Sequence, residues 1–251
     1  MKILAVDTSS KICSVAILED RQVLDEINLD DGKTHSENLM PTIQLILERN
    51  DLTLDDIDLI GVTVGPGSFT GIRIGIASVK AIAEVKNIPV ASISSLQCLA
   101  KNISKDSGTI VSMIDARNNN VYGGVYDIGS NSVVEECAES VDTLVDKITP
   151  YQNITFVGDG AIINKGKIQR AFYGQKVEFA KDNEQRAANT GILAYEKYLA
   201  NSLESADSVI PLYLRKSQAE RLKNENSNNE LAWSRMHKAD FNWAIWWFLE
   251  F

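Results

Sequence analysis

Hydrophobic and polar positions along this chain fall into a short set of blocks, and the set comes twice. Residues 3–18 read Ile-Leu-Ala-Val-Asp-Thr-Ser-Ser-Lys-Ile-Cys-Ser-Val-Ala-Ile-Leu: an apolar run closed by Asp7, a polar turn, and a second apolar run. Residues 110–126 repeat that arrangement, with Asp115 in the matching place. Short apolar runs bounded by turn residues predict strands. A third extended segment follows each pair, Gln22 to Leu29 in the first set and Ser132 to Glu139 in the second. A helix is expected next, over Glu37 to Asn50 and again over Val141 to Ile148, and then a strand ending in glycine, Leu59 to Gly65 and Ile154 to Gly158. The expected order is β-β-β-α-β-α, written twice. It points to two related α/β lobes, residues 1–105 and 106–223, with strand ends facing a shared cleft.

Two helices of the first set carry more detail. Thr34 and Glu37 stand at capping-box spacing, ahead of an apolar stripe of Leu39, Ile43, Ile46 and Leu47. Pro41 falls inside that stripe, so the helix either kinks there or begins nearer Met40. Further on, the β-branched run Leu59 to Val64 enters the turn Gly65-Pro66-Gly67-Ser68, and a long apolar segment then runs from Thr70 to Val85. That is strand, tight turn, helix. The unpaired N–H groups of such a helix start suit an anion or a close backbone approach. Neither common nucleotide motif is present: no Lys follows Gly71, and Thr70 stands where a dinucleotide fingerprint needs its third Gly.

Gly71 and Gly75 lie on one face of this helix, flanked by Ile72, Ile76, Val79 and Ile82. Glycine inside a helix costs about 1 kcal/mol against alanine, so the pair signals a close neighbour. That neighbour is either the chain's own sheet or a helix of another subunit. In the second case Leu39, Met40 and Ile43, with Gly71, Ile72, Gly75, Ile76 and Val79, form an apolar partner interface.

Composition narrows the classes. A hydrophobic content of 44% over 251 residues provides for a substantial core, and a formal net charge of −9 argues against broad nonspecific nucleic-acid binding. Cys13, Cys98 and Cys137 are odd in number and lack metal-ligand spacing, which predicts reduced, mostly buried thiols. With His35 and His237 alone, neither a Ser-His-Asp site nor a His-rich metal centre is easily built. The apolar run at Met1 is too short for a signal peptide, and no run nears the roughly 20 residues of a membrane span. A cytoplasmic location, away from membranes, is expected. After Lys223 the character changes: an Asn-rich joint leads to Leu231 to Phe251, which holds Trp233, Trp243, Trp246 and Trp247 and reads as an extension, 224–251, outside the doubled pattern.

Asp7 and Asp115 could be a pair of acid/base carboxylates, but at matching strand ends they more simply shape the hairpin turns. Arg73 and Arg117 are cations suited to an anion or to a partner carboxylate.

Several segments together carry a family likeness. Asp7-Thr8-Ser9-Ser10, His35-Ser36-Glu37-Asn38-Leu39-Met40-Pro41, Gly65 to Gly75, Asp115-Ala116-Arg117 and Pro211-Leu212-Tyr213-Leu214-Arg215 resemble, in order, the TsaB (YeaZ) family. The likeness runs from residue 1 to about 220, and Gly-Pro-Gly-Ser-Phe-Thr-Gly-Ile-Arg is its most specific part. It implies a duplicated actin-like fold of the ASKHA, ribonuclease H-like class. It also implies a subunit that is non-catalytic itself, binding the catalytic paralogue TsaD and the ATPase TsaE in formation of threonylcarbamoyladenosine (t6A) on tRNA. On that reading tRNA is reached through the complex, ATP is used by the partner subunits, no cofactor or metal is held here, and the chain alone pairs with itself. Phosphate loops of the superfamily follow Asp-x-Gly-x-Thr, whereas Asp7-Thr8-Ser9-Ser10-Lys11 has no glycine. Asp7, Thr8, Ser9, Arg73, Asp115 and Arg117 are therefore expected to be a vestigial phosphate loop or an anion contact. TsaD-type chains carry a metal-binding His pair four residues apart; here His35 is followed by Leu39, which cannot ligate. The competing readings are a free-standing actin-like ATPase or kinase and a metallopeptidase.

Overall fold

Two five-stranded mixed sheets answer the doubled pattern. In the computed structural model, which describes residues 1–215, β1 (Lys2–Asp7), β2 (Cys13–Glu19), β3 (Gln22–Leu29), β4 (Leu59–Gly65) and β5 (Val90–Ser94) form the first sheet in the order β3-β2-β1-β4-β5. The second contains β6 (Thr109–Asp115), β7 (Asn120–Tyr126), β8 (Ser132–Ser140), β9 (Ile154–Val157) and β10 (Val177–Phe179), in the order β10-β9-β6-β7-β8. The central strands β1 and β6 each pair antiparallel with the next strand and parallel with a later one, β4 or β9. The duplicated actin-like α/β class is therefore the fold observed.

Seven α-helices accompany the sheets among the described residues: α1 (His35–Arg49), α2 (Phe69–Lys86), α3 (Ser95–Ala100), α4 (Val141–Ile148), α5 (Asp159–Ile163), α6 (Lys165–Ala171) and α7 (Ala187–Leu199). Strand alternation sorts the core between them, since successive side chains point to opposite faces. Leu4 and Val6 join Leu39, Ile43, Ile46, Ile72, Ile76 and Val79 of α1 and α2 in one cluster. Ile3 and Ala5 join Ala187, Leu193 and Ala194 of α7 in another. The second sheet packs α4 and α6 on one face and α3 on the other, where Leu96, Leu99 and Ala100 meet Ile110, Tyr122 and Tyr126.

α1 begins at His35 and runs unbroken through Pro41, which lies on its solvent side, so the late start does not occur. Its start is secured as expected: the Glu37 carboxylate accepts from the Thr34 N–H at 2.9 Å and from the Thr34 hydroxyl at 2.6 Å. β5, α3 and α7 lay outside the sequence expectation. α7 follows the second sheet in the chain, yet it docks on the first. Its opening N–H groups are taken by side chains of that sheet, Ala187 N donating to Ser14 Oγ at 2.8 Å and Ala188 N to Glu26 Oε1 at 2.9 Å. The body closes at Leu214 as one unit, Met1–Leu214. The tryptophan-rich segment of 231–251 lies outside the described residues.

Candidate functional site

The β1–β2 turn and the start of α2 form one interlocked assembly. Asp7 ends β1 fully buried, and its Oδ1 accepts from the Ser9 N–H at 2.8 Å and the Ser9 hydroxyl at 2.7 Å. Burial pushes the Asp7 carboxyl above the usual carboxylate range, while the Ser9 hydrogen bonds, Thr63 and His35 pull it back. Its second oxygen, Oδ2, is buried without a hydrogen-bond partner. Ser68 caps α2 by accepting from Gly71 N at 3.2 Å, and Ser68 N donates to Ser9 O at 2.8 Å. The Thr8 hydroxyl donates to Gly71 O at 2.8 Å, and His35 Nε2 lies 2.9 Å from Ser10 O.

Against this turn the glycines of α2 take on a definite meaning. A Cβ on Gly67 would sit 2.2 Å from Ser9 O, one on Gly71 2.1 Å from Thr8 O, and one on Gly75 2.3 Å from Thr8 Oγ1. The space beside Gly67, Gly71 and Gly75 is filled by the chain's own β1–β2 turn. The backbone neighbour signalled by Gly71 and Gly75 is internal.

That corrects the expected partner interface. Leu39, Ile43, Ile72, Ile76 and Val79 belong to the chain's own core, and Gly71 and Gly75 are pressed onto Thr8, so these side chains present no face to a partner. Met40 alone of that set is exposed, at 47%. The apolar residues that α1 and α2 do show to solvent are a different set, Met40 and Leu45 on α1 with Ala77, Ala81 and Val85 on α2, among the exposed Gln44, Glu48, Arg73 and Glu84. The sequence signal was present: Arg73 and Glu84 stand opposite the apolar stripe of α2, the polar back of a helix that packs on its own chain's core.

The second hairpin repeats the geometry of the first with less burial. Asp115 Oδ1 accepts from Arg117 N at 3.0 Å, the same residue-to-second-neighbour bond that Asp7 makes to Ser9. Both aspartates thus brace turns. Arg117, Asn118 and Asn119 all have positive φ, at 61°, 53° and 59°, and carry three exposed side chains. Asp115 N and Gly160 N both donate to Asp159 Oδ1, at 3.0 and 2.7 Å. Asp115 and Arg117 are thus bonded within their own β6–β7 turn, as Asp7 and Ser9 are within theirs.

Arg73 belongs to a third feature. The segment after α7 returns along α2, with Lys80 Nζ donating to Asp207 O at 3.0 Å and Leu212 N to Val64 O at 2.8 Å. Tyr213 then stacks on Phe69, ring centroids 4.8 Å apart, while Arg73 Nε donates to its hydroxyl at 2.7 Å. Arg73 is held by this strap, and Leu39, at the second place of the lost His pair, is core. The thiols of Cys13, Cys98 and Cys137 are free, the first two buried. No helix among the described residues is long and apolar enough to cross a membrane.

Comparison with known proteins places this geometry. The model of the TsaD family, tRNA N6-adenosine threonylcarbamoyltransferase, matches residues 24–223. The tRNA threonylcarbamoyladenosine biosynthesis protein TsaB of Bacillus subtilis is 32% identical over 232 residues, 88% of this chain and 96% of that protein. YeaZ from Pseudomonas aeruginosa superposes with a TM-score of 0.74 at 25% identity, covering 85% of this chain and all but 1% of its own, a share of 99%. At 12% identity and a TM-score of 0.51, the activator of 2-hydroxyisocaproyl-CoA dehydratase from Clostridium difficile, solved with bound ADPNP, shares the fold alone, with 85% of this chain and 100% of that one covered. The chain belongs to the tRNA N6-adenosine threonylcarbamoyltransferase (TsaD) family and, within it, to the TsaB (YeaZ) branch.

Proposed function

We propose that this chain is a non-catalytic subunit of the machinery that forms t6A on tRNA, binding and supporting a TsaD-type partner and recruiting TsaE. Membership of the TsaB branch supports the process. The observation that carries the non-catalytic role is that Thr8 and Ser9 fill the space beside Gly67 and, on α2, Gly71 and Gly75, within 2.1 to 2.3 Å of each absent Cβ. A nucleotide phosphate approaching there meets Thr8 and Ser9, which are packed on the α2 start and hydrogen-bonded to it. ATP is then consumed by partner subunits, and tRNA is reached through the complex.

The partner face is assigned to the outer sides of α1 and α2. Met40 is 47%, Leu45 48% and Val85 82% exposed, beside Ala77 and Ala81. Small and flexible apolar residues on two neighbouring helices permit close helix–helix packing. The same face serves a second copy of the chain when the partner is absent.

Omission of this chain from a mixture with TsaC, TsaD, TsaE, ATP, threonine, bicarbonate and tRNA should abolish t6A, and the chain alone should turn over no ATP. Undiminished t6A without it, or steady turnover by the isolated chain, overturns the proposal.

A further inference from the structure

A half-buried glutamate joins the two lobes far along the chain from the β1–β2 turn. Glu136 lies on β8, at a place where the pairing of β7 with β8 slips: Gly123 opposes Cys137, but Val125 opposes Val134. Between those pairs the single residue Gly124 faces both Glu135 and Glu136, a bulge of the kind that re-aims a side chain. Glu135 is exposed, and Glu136 is partly buried. Its Oε1 accepts two hydroxyls, Tyr126 at 2.6 Å and Ser94 at 2.5 Å. Its Oε2 is buried and unpartnered.

Three separate features bring the two hydroxyls onto Oε1. The bulge turns Glu136 inward. Gly124 makes room for the phenol, since a Cβ there would lie 2.7 Å from Tyr126 Oη. Ser94 comes from the other lobe, at the end of β5, where its hydroxyl oxygen also accepts from Leu96 N at 3.2 Å as the cap of α3. Tyr126 and Ser94 thus donate from opposite sides of the seam between the sheets. Around them the contact is apolar: Leu96, Leu99 and Ala100 of α3 pack on Ile110, Tyr122 and Tyr126. Burying a carboxylate with an unpaired oxygen is costly, and an apolar side chain would fill the seam at lower cost. Its presence calls for a role that apolar packing does not supply, which is directional fixing of one lobe on the other.

We infer that Glu136 is an interlobe latch, whose two hydroxyl donors, Ser94 on the first lobe and Tyr126 on the second, set the angle at which the lobes are held. The latch lies at the α3 seam and makes no contact in the α1–α2 face, so it stands whether or not that face binds TsaD.

Hydrogen–deuterium exchange on the full chain tests it. Tyr126→Phe removes one donor and leaves the ring over Gly124 and the α3 cap untouched. It should raise exchange about ten- to a hundredfold together in residues 94–100 and 132–140, on the scale of one lost charged hydrogen bond, with β1 and β2 unchanged. Glu136→Gln keeps an acceptor and should stay close to the parent, whereas Glu136→Leu, which strands both hydroxyls, should loosen the same two segments at least as much as Tyr126→Phe. Faster exchange confined to 132–140, a uniform rise throughout the chain, no change, or a Gln variant as loose as the Leu variant would each overturn the latch.

Discussion

Thr8 and Gly75 are fitted to each other: the Thr8 hydroxyl, donating to Gly71 O at 2.8 Å, occupies the volume that a side chain at Gly75 would need, 2.3 Å from its absent Cβ. Both residues are buried, and neither neighbour is the flexible end of a long side chain. The α2 helix therefore gives up about 1 kcal/mol of helix propensity at each glycine to dock on the β1–β2 turn.

Gly75→Ala should accordingly destabilise the fold by about 1–2 kcal/mol, because overpacking outweighs the propensity gained. Thr8→Ala deletes the clashing hydroxyl, so the same Gly75→Ala change made in that background should cost less, with a coupling of about 0.5–3 kcal/mol. Urea unfolding of the four proteins of this cycle measures it. Additive effects would place the neighbour of Gly75 elsewhere.

The Asp7 carboxyl predicts a pH dependence with a definite sign. Its folded-state pKa is raised above the ordinary 3.8 by burial, so the native state holds the proton more tightly than the unfolded chain. The stabilisation from that proton is complete below the unfolded pKa and is lost as pH rises through the folded one. Asp7→Asn cannot ionise. Its stability relative to the parent should therefore improve steadily from about pH 4 upward, as read by urea midpoints at several pH values. A difference independent of pH would mean that Asp7 titrates normally.

Substitutions on the outer face should separate folding from association. Val85→Asp and Met40→Asp change exposed side chains, so unfolding midpoints should move by no more than about 0.5 kcal/mol equivalent. Affinity for TsaD, measured by calorimetry, should fall at least about tenfold, since a charge is placed in an apolar contact. Retained affinity would move the partner face away from α1 and α2.

The strap after α7 is predicted to contribute modestly. Tyr213→Phe loses the bond from Arg73 Nε and should cost about 0.5–1 kcal/mol. Tyr213→Ala also loses the stack on Phe69, for about 0.5–1.5 kcal/mol more. Chemical denaturation checks both values, and equal effects would show that the hydroxyl bond is the whole contribution.

The sequence by itself determined the elements whose information is local. β3, β4 and α4 run over the expected residues, and the Thr34–Glu37 capping box forms, because strand alternation, helical spacing and cap chemistry act within a few residues. The duplication was legible for the same reason, down to Asp7 and Asp115 bracing equivalent turns. Tertiary structure decided everything that depends on which distant segment lies alongside. Gly71 and Gly75 announced a close neighbour, but spacing along one helix cannot distinguish the Thr8 turn from another subunit. Leu39, Ile43, Ile72, Ile76 and Val79 looked like a free apolar face because a stripe has the same period whether the chain or a partner covers it. α7 went unanticipated because its small apolar residues gain their meaning from the first sheet, reached only after the chain has built the second. Ser94, Tyr126 and Glu136 carry no motif at all; a bulge in β8 and the approach of the end of β5 bring both hydroxyls onto one carboxylate oxygen.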